Sequence, residues 1–297
     1  MSLNNATRRA HGRAVNPFLL DRRKTRLGFE RAADTYDANA FLQREIAERL
    51  TERLDVIRLQ PQTVLDLGCG TGAITTHVLQ RYPQADVVSL DLALNMVRKT
   101  RQQVSGERQP LGVCADASQL PLQAQCVDMI MSSLMLQWCN DLPVTFRELA
   151  RVLRPNGLLM FATFGPDTLR ELHASWGQVD HYTHASIFPD MHNVGDALLQ
   201  AGLRDPVIDV DTITLTYRDV RDLLRDLKGI GANNATHGRN RGLTGKARLQ
   251  AFFAAYEQFR RPDGTYPATY EVVYGHAWAP PLWSDGRPEK FIPIQSV

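Results

Sequence analysis

Val64-Leu65-Asp66-Leu67-Gly68-Cys69-Gly70-Thr71-Gly72 is the stretch of this 297-residue chain best suited to hold a ligand. An apolar run feeds three glycines spaced two apart, and a helical pattern opens at Ala73. Glycines at a strand-to-helix turn let the backbone bend tightly and approach a ligand with no Cβ in the way. The helix that follows leaves its first N–H groups free to bind. Asp91 closes the next apolar run, nineteen residues beyond Gly72, where a carboxylate accepts ribose hydroxyls. Cys114-Ala115-Asp116-Ala117 ends a third run with another acceptor, suited to an adenine amino group or to a helix N-cap. Ser132-Ser133-Leu134-Met135-Leu136-Gln137-Trp138 ends a fourth with polar and apolar groups together. The chemistry implied is the binding of a nucleotide cofactor. With Ala73, the glycine run also fits the dinucleotide fingerprint, so the glycines and Asp91 leave the cofactor's identity open.

The elements that must hold these residues follow from hydrophobic spacing. Leu42, Ile46, Leu50 and Leu54 recur every four residues, which predicts an amphipathic helix over Phe41–Ile57, ended by Pro61. Short strands are predicted at 63–67, 87–91, 111–115, 127–132 and 158–163. Helices are predicted between them at 73–81, 94–103 and 144–153, the last stopped by Pro155-Asn156-Gly157. Residues 166–203 read as helical and His-rich, 207–217 alternate with period two, 219–230 read as a helix and 268–278 as a strand. Such alternation predicts an α/β fold, a doubly wound, mostly parallel seven-stranded sheet covered on both faces. Ligands bind such sheets at the carboxyl ends of the strands, where Ser132, Gln137 and Trp138 fall.

From Val64 to Thr163 these residues resemble the core of the class I S-adenosylmethionine-dependent methyltransferases, a Rossmann-like fold. The resemblance implies S-adenosyl-L-methionine as cofactor. It sets Gly68, Gly70 and Gly72 beside the methionine part, Asp91 and Leu92 at the ribose, and Asp116 and Ala117 at the adenine. Asp66 and Ser132 complete the implied cofactor set. The Arg154-Pro155-Asn156-Gly157 turn is also typical of that fold.

Outside the core, Phe29–Asp37 with Ala40-Phe41-Leu42-Gln43 resembles the start of the malonyl-acyl-carrier-protein O-methyltransferases of biotin synthesis. So do Leu136–Leu142, Glu171–Trp176, and Leu227–Asn233 with Gly238-Arg239 and Leu243-Thr244. Ile187-Phe188 departs from the Arg-Phe that some of that family carry. A second resemblance, at Asp21–Lys24, Gly165–Leu169 and Pro267–Tyr270, is to mitochondrial complex I assembly factors. It leaves protein-arginine hydroxylation as the alternative activity.

The first resemblance implies methyl transfer to the free carboxylate of a malonyl thioester on acyl carrier protein. Carboxylates of this kind have a pKa of about 4, so the nucleophile is already ionised and no general base is required. Positioning and exclusion of water carry the rate. Tyr36, on a lid folded over the cofactor, is the expected positioning residue, and Arg239 the expected partner of the malonyl carboxylate. Gln137 and Trp138 would wall the methyl channel, and His173 would line the substrate pocket. His173, His181, His184 and His192 are close in sequence, but the chemistry needs no metal and no site is expected.

Composition sets the frame. The net charge is +2 and no apolar run approaches the ~20 residues of a membrane span. A signal peptide, a membrane and a nucleic-acid partner are not expected, and the four cysteines, with no C-x-x-C pair, suggest reduced thiols in a cytoplasmic protein. The charge is uneven. Residues 1–31 carry eight Lys/Arg against two acidic residues, and residues 217–250 eight against three. Acyl carrier proteins are acidic, so Arg22, Arg23, Arg241 and Lys246 are the expected docking surface. The expected division is a basic, partly disordered arm (1–28), a methyltransferase domain (29–278) and a tail (279–297). Within that domain fall a lid (29–60), a cofactor core (61–165) and a substrate cap (166–278).

Overall fold

The computed structural model describes residues 16–104 and 108–281. The N-terminal stretch expected to be disordered, with Arg8, Arg9 and Arg13, and the tail from residue 282 lie outside the described residues. The strands are β1 (Thr63–Leu67), β2 (Asp86–Asp91), β3 (Leu111–Cys114), β4 (Val127–Ser133), β5 (Leu153–Phe164), β6 (Arg204–Tyr217) and β7 (Tyr266–Trp278). They form one sheet in the order β3-β2-β1-β4-β5-β7-β6. β1 to β5 pair in parallel, and β7 runs antiparallel between β5 and β6. This is the class I methyltransferase architecture, Rossmann-like, with helices on both faces.

The pleat sends neighbouring side chains to opposite faces. Val64, Met129 and Met160 pack under α3 (Phe41–Glu52), α4 (Ala73–Arg81), α7 (Arg170–Gly177) and α10 (Lys246–Tyr256). Leu65, Ile130 and Phe161 pack under α6 (Leu142–Val152) and α8 (Met191–Gln200). Strands buried on both sides must be apolar throughout, as β1 and β4 nearly are.

Three stretches differ from expectation. Pro155-Asn156-Gly157 does not separate helix from strand. β5 starts at Leu153 and runs through it, with Asn156 at φ 60° and a register shift against β4 between Val127 and Met129. Residues 166–203 are two helices, α7 and α8, joined by a loop that carries His181 and His184. α10 was not expected, because its apolar residues surround the helix rather than forming a stripe.

The elements above the carboxyl ends of the strands are α1 (Arg22–Ala32), α2 (Tyr36–Asn39) and α9 (Val220–Gly229). α1 begins inside the stretch expected to be an arm, capped by Asp21, whose carboxylate accepts from the Lys24 N–H at 3.1 Å. Two contacts hold α1 down. The Glu30 carboxylate accepts from the Leu94 and Asn95 N–H groups, each at 2.9 Å, at the start of α5 (Leu94–Gln103). The residue before α5 is Ala93, which has no capping side chain, so Glu30 supplies the cap from another helix. On its other side, α1 meets the turn after α9 backbone to backbone. A Cβ on Gly28 would lie 2.9 Å from the Gly231 carbonyl oxygen.

Candidate active site

A pocket opens where β1, β2 and β4 end, under α1. The glycine loop is its floor. Gly68 has φ 78°, and a Cβ there would sit 2.4 Å from Met135 Cβ. Gly70 has φ 52° and would meet nothing within 4 Å, so its bare face opens on space that a ligand can fill. Asp91 Oδ2 accepts from the Gly70 N–H at 3.1 Å, and Oδ1 from the Ala93 N–H at 2.8 Å. Burial pushes its pKa up to about 6, against the downward pull of those N–H groups and with a further push from Glu30. A lining carboxylate beside a cradle open at Gly70 fits a ribose diol and the amino-acid end of S-adenosylmethionine.

At the far end stand Asp116, Ala117, Met135 and Val144, a slot of one acceptor and apolar walls that suits an adenine ring. Asp116 Oδ1 accepts from Ser118 N–H and Oγ–H at 2.9 and 2.7 Å. Its Oδ2 pairs with Arg22 at 3.1 Å. Arg22 thus borders the adenine end of the pocket while its side chain stays 57% exposed. Leu92 lines the same pocket. Tyr36 stands at the other end, near Gly68 and Gly70. Burial and the nearby Asp91 and Asp37 carboxylates push its phenol well above the usual value, so it stays a neutral donor.

Trp138 belongs to both this pocket and a second chamber behind it. It sits on the 3-10 turn Leu136–Trp138, and Phe29 of α1 packs edge-on against it at 5.1 Å. Gln137 lines the chamber with its amide tied at both ends. Nε2 donates to the Leu134 carbonyl at 2.7 Å, and Oε1 accepts from Thr163 at 3.3 Å. Apolar side chains such as Phe164, Leu172, Phe188 and Leu224 make much of the remaining wall. His184 and Lys228 also line the chamber, and no Asp or Glu does so among the described residues.

Several expected residues fall elsewhere. Asp66 is buried beneath the loop, where its Oδ2 accepts from Thr75 at 2.5 Å and burial raises its pKa to about 7. It supports the loop and does not line the pocket. Ser132 is also buried and donates to the Leu67 carbonyl at 2.9 Å, so the next residue, Ser133, faces the pocket. The strand alternates sides, and a one-residue step changes the face. Gly72 lines a crevice on the outer side of the loop. His173 stands off the chamber lining, and His184 lines it instead, bonded to Asp180 at 2.7 Å and stacked on Trp176 at 3.7 Å. Arg239 pairs with Asp21 at 3.3 Å and donates to the Thr236 carbonyl at 2.7 Å, which fastens the start of α1. Sequence reading missed Lys228 and Gln43. Both lie inside motifs that had marked the family, Leu227–Asn233 and Ala40–Gln43, and that was the available signal.

Comparison with known proteins agrees with this geometry. A methyltransferase domain model matches residues 65–161. Malonyl-acyl-carrier-protein O-methyltransferase of Methylovorus sp. is 52% identical over 272 residues, 90% of this chain and 92% of that protein. The protein of the same name from Gallionella capsiferriformans is 51% identical, over 90% and 93% of the two chains. Among solved structures, a putative methyltransferase of Bacillus halodurans superposes with a TM-score of 0.56 at 16% identity, over 79% of this chain and 98% of that one. That likeness is one of fold. The near-full-length identity carries more, and by it the chain belongs to the malonyl-acyl-carrier-protein O-methyltransferase family.

Proposed function

We propose that the protein transfers the methyl group of S-adenosylmethionine to the free carboxylate of a malonyl thioester on acyl carrier protein. The observation that carries the choice of acceptor is the wall of the chamber beyond Trp138. It has Lys228 and, among its described residues, no carboxylate. An anionic acceptor suits that wall, whereas a guanidinium brought in for hydroxylation would be desolvated with no counter-charge. The relatives' names point the same way, and nothing in them favours the hydroxylase alternative.

When bound, S-adenosylmethionine supplies an electrophilic methyl group on sulfonium, and the acceptor oxygen takes it as the carbon–sulfur bond breaks. No proton moves, so the protein needs no base. Asp91 holds the ribose, and the Gly68–Gly70 backbone leaves room for the methionine end. Tyr36, kept protonated, donates its hydroxyl at the junction and orients the reacting ends. Trp138 and Phe29 exclude water at the joint between the two cavities. Lys228 takes the carboxylate-pairing role expected of Arg239. For the carrier protein we assign docking to Arg23, Arg241 and Lys246, which are exposed. Lid, cofactor core and cap act as one domain in this reading, with the lid starting at Arg22. The test is rescue of a biotin auxotroph that lacks the malonyl-methylating step. Growth without biotin supports the reading, and no growth despite soluble expression refutes it.

A further inference from the structure

Among the described residues that line the chamber, one buried polar atom has no partner. Gln43, in the first turn of α3, has a buried Oε1 without a hydrogen bond. A buried acceptor left unpaired costs stability, so its retention points to a partner that arrives. Gln43 lines the chamber beyond Trp138 and also a cleft at the sheet edge, between α2–α3 and the end of β6 with α9. Leu227, Ile230 and Tyr270 are common to both cavities, so the cleft and the chamber adjoin at Gln43. At the cleft's outer end stands Phe41, 62% exposed.

A carrier-bound malonyl group hangs on a long flexible arm that contains secondary amides and ends in the thioester. The arm must thread from the surface to the cofactor, and its amides must stay hydrogen-bonded on the way. A carboxamide accepts through Oε1 and donates through Nε2, the complement of a secondary amide. We propose that this cleft is the entry route of the thioester arm and that Gln43 hydrogen-bonds an arm amide where the arm turns in toward Trp138. This rests on the malonyl-thioester reading above. The methyl-transfer step is unchanged by it. Gln43 acts as a binding residue for the arm, and the apolar flank of Phe41 covers the arm's aliphatic part.

The test uses the full chain and three malonyl thioesters of decreasing arm length: malonyl-coenzyme A, malonyl-N-acetylcysteamine and S-methyl malonyl thioester, which has no amide. Gln43→Leu keeps the volume and removes both hydrogen-bonding ends. It is expected to raise KM about tenfold for malonyl-coenzyme A, the loss of one hydrogen bond. KM for the amide-free thioester and for S-adenosylmethionine should not change. Thr216→Trp, which narrows the cleft at a residue that does not line the chamber, should impair the long-armed substrate and spare the short one. Equal loss on all three thioesters, no loss on any, or a raised KM for S-adenosylmethionine would overturn the proposal. The last result matters because Gln43 also borders the crevice behind the glycine loop. A wild-type protein that methylates neither these three nor malonyl-acyl carrier protein would overturn the malonyl-thioester reading itself, which separates the two failures. Where only the carrier-bound substrate reacts, Gln43→Leu should raise its KM by the same factor, and an unchanged KM would overturn the proposal.

Discussion

Asp91 is the residue on which we propose cofactor binding turns. Its pKa is raised to about 6 by burial, above the ordinary carboxylate value. Ribose hydroxyls donate to the ionised form, so cofactor affinity should be near full by pH 7, about half at pH 6 and lower still as protons bind below it. We expect the dissociation constant for S-adenosylmethionine to rise about tenfold between pH 7 and pH 5. Asp91→Asn should bind more weakly at pH 7 and lose that pH dependence, as calorimetric titration can read. Tyr36 is expected to act later, on the reacting ends. Tyr36→Phe removes only the hydroxyl, and the loss of one transition-state hydrogen bond should lower kcat about tenfold. Its cofactor affinity should stay near that of the wild type. An equal loss in affinity and turnover would make Tyr36 a cofactor residue only. Asp91 and Tyr36 both line the pocket the sequence pointed to, because the glycine loop and the second strand carry short local patterns and Tyr36 lies in the stretch Phe29–Asp37 that resembles the family. Arg239 stands apart from both cavities because a guanidinium pairs with any carboxylate within reach, and sequence does not say that Asp21 gets there first.

At the scale of elements, α1 is the part that closes the site. Its cap residue Asp21 is held by Arg239, and the backbone nearby is zipped to the 235–238 loop, with the Asp21 N–H donating to the Ala235 carbonyl at 2.8 Å. Arg239, expected from the sequence to meet the substrate carboxylate, and the 235–238 backbone instead contact the start of this helix. Gly28→Val would force a side chain into the Gly231 carbonyl, 2.9 Å away from the Cβ alone. The expected outcome is a weakened lid over an intact sheet. KM for the cofactor should rise and Phe29 should leave Trp138, as tryptophan fluorescence quenching can report, while the thermal midpoint moves by only a few degrees. An unchanged KM would mean that α1 does not close the site. The core elements were predicted to within a residue or two, because strands buried on both faces and helices with one apolar stripe leave strong periodic patterns. α10 lacked a stripe and was missed. β5 was started late because a Pro-Asn-Gly turn reads as a break, although here the strand pairing absorbs it as an irregularity.

For the molecule as a whole, the near-neutral net charge of +2 conceals two basic stretches, residues 1–31 and 217–250. Arg22, itself exposed, pairs with Asp116, and the exposed Arg23, Arg241 and Lys246 are the docking residues we propose for an acidic carrier protein. Reversing those three charges should raise KM for malonyl-acyl carrier protein severalfold at low salt and leave KM for malonyl-coenzyme A unchanged. The difference should shrink as salt screens the surface. The sequence made the fold and the cofactor readable, because both rest on backbone geometry at fixed spacing. The acceptor chamber was not readable, since its wall gathers Gln43, Trp138, Phe188 and Lys228 from distant parts of the chain. The central claim is that the acceptor is a malonyl carboxylate. Intact-protein mass spectrometry of malonyl-acyl carrier protein, incubated with this protein and S-adenosylmethionine, tests it most directly. The account predicts a gain of one CH2 on the malonyl group, matched one to one by S-adenosylhomocysteine. An unmodified malonyl group, with S-adenosylhomocysteine released or not, would contradict it.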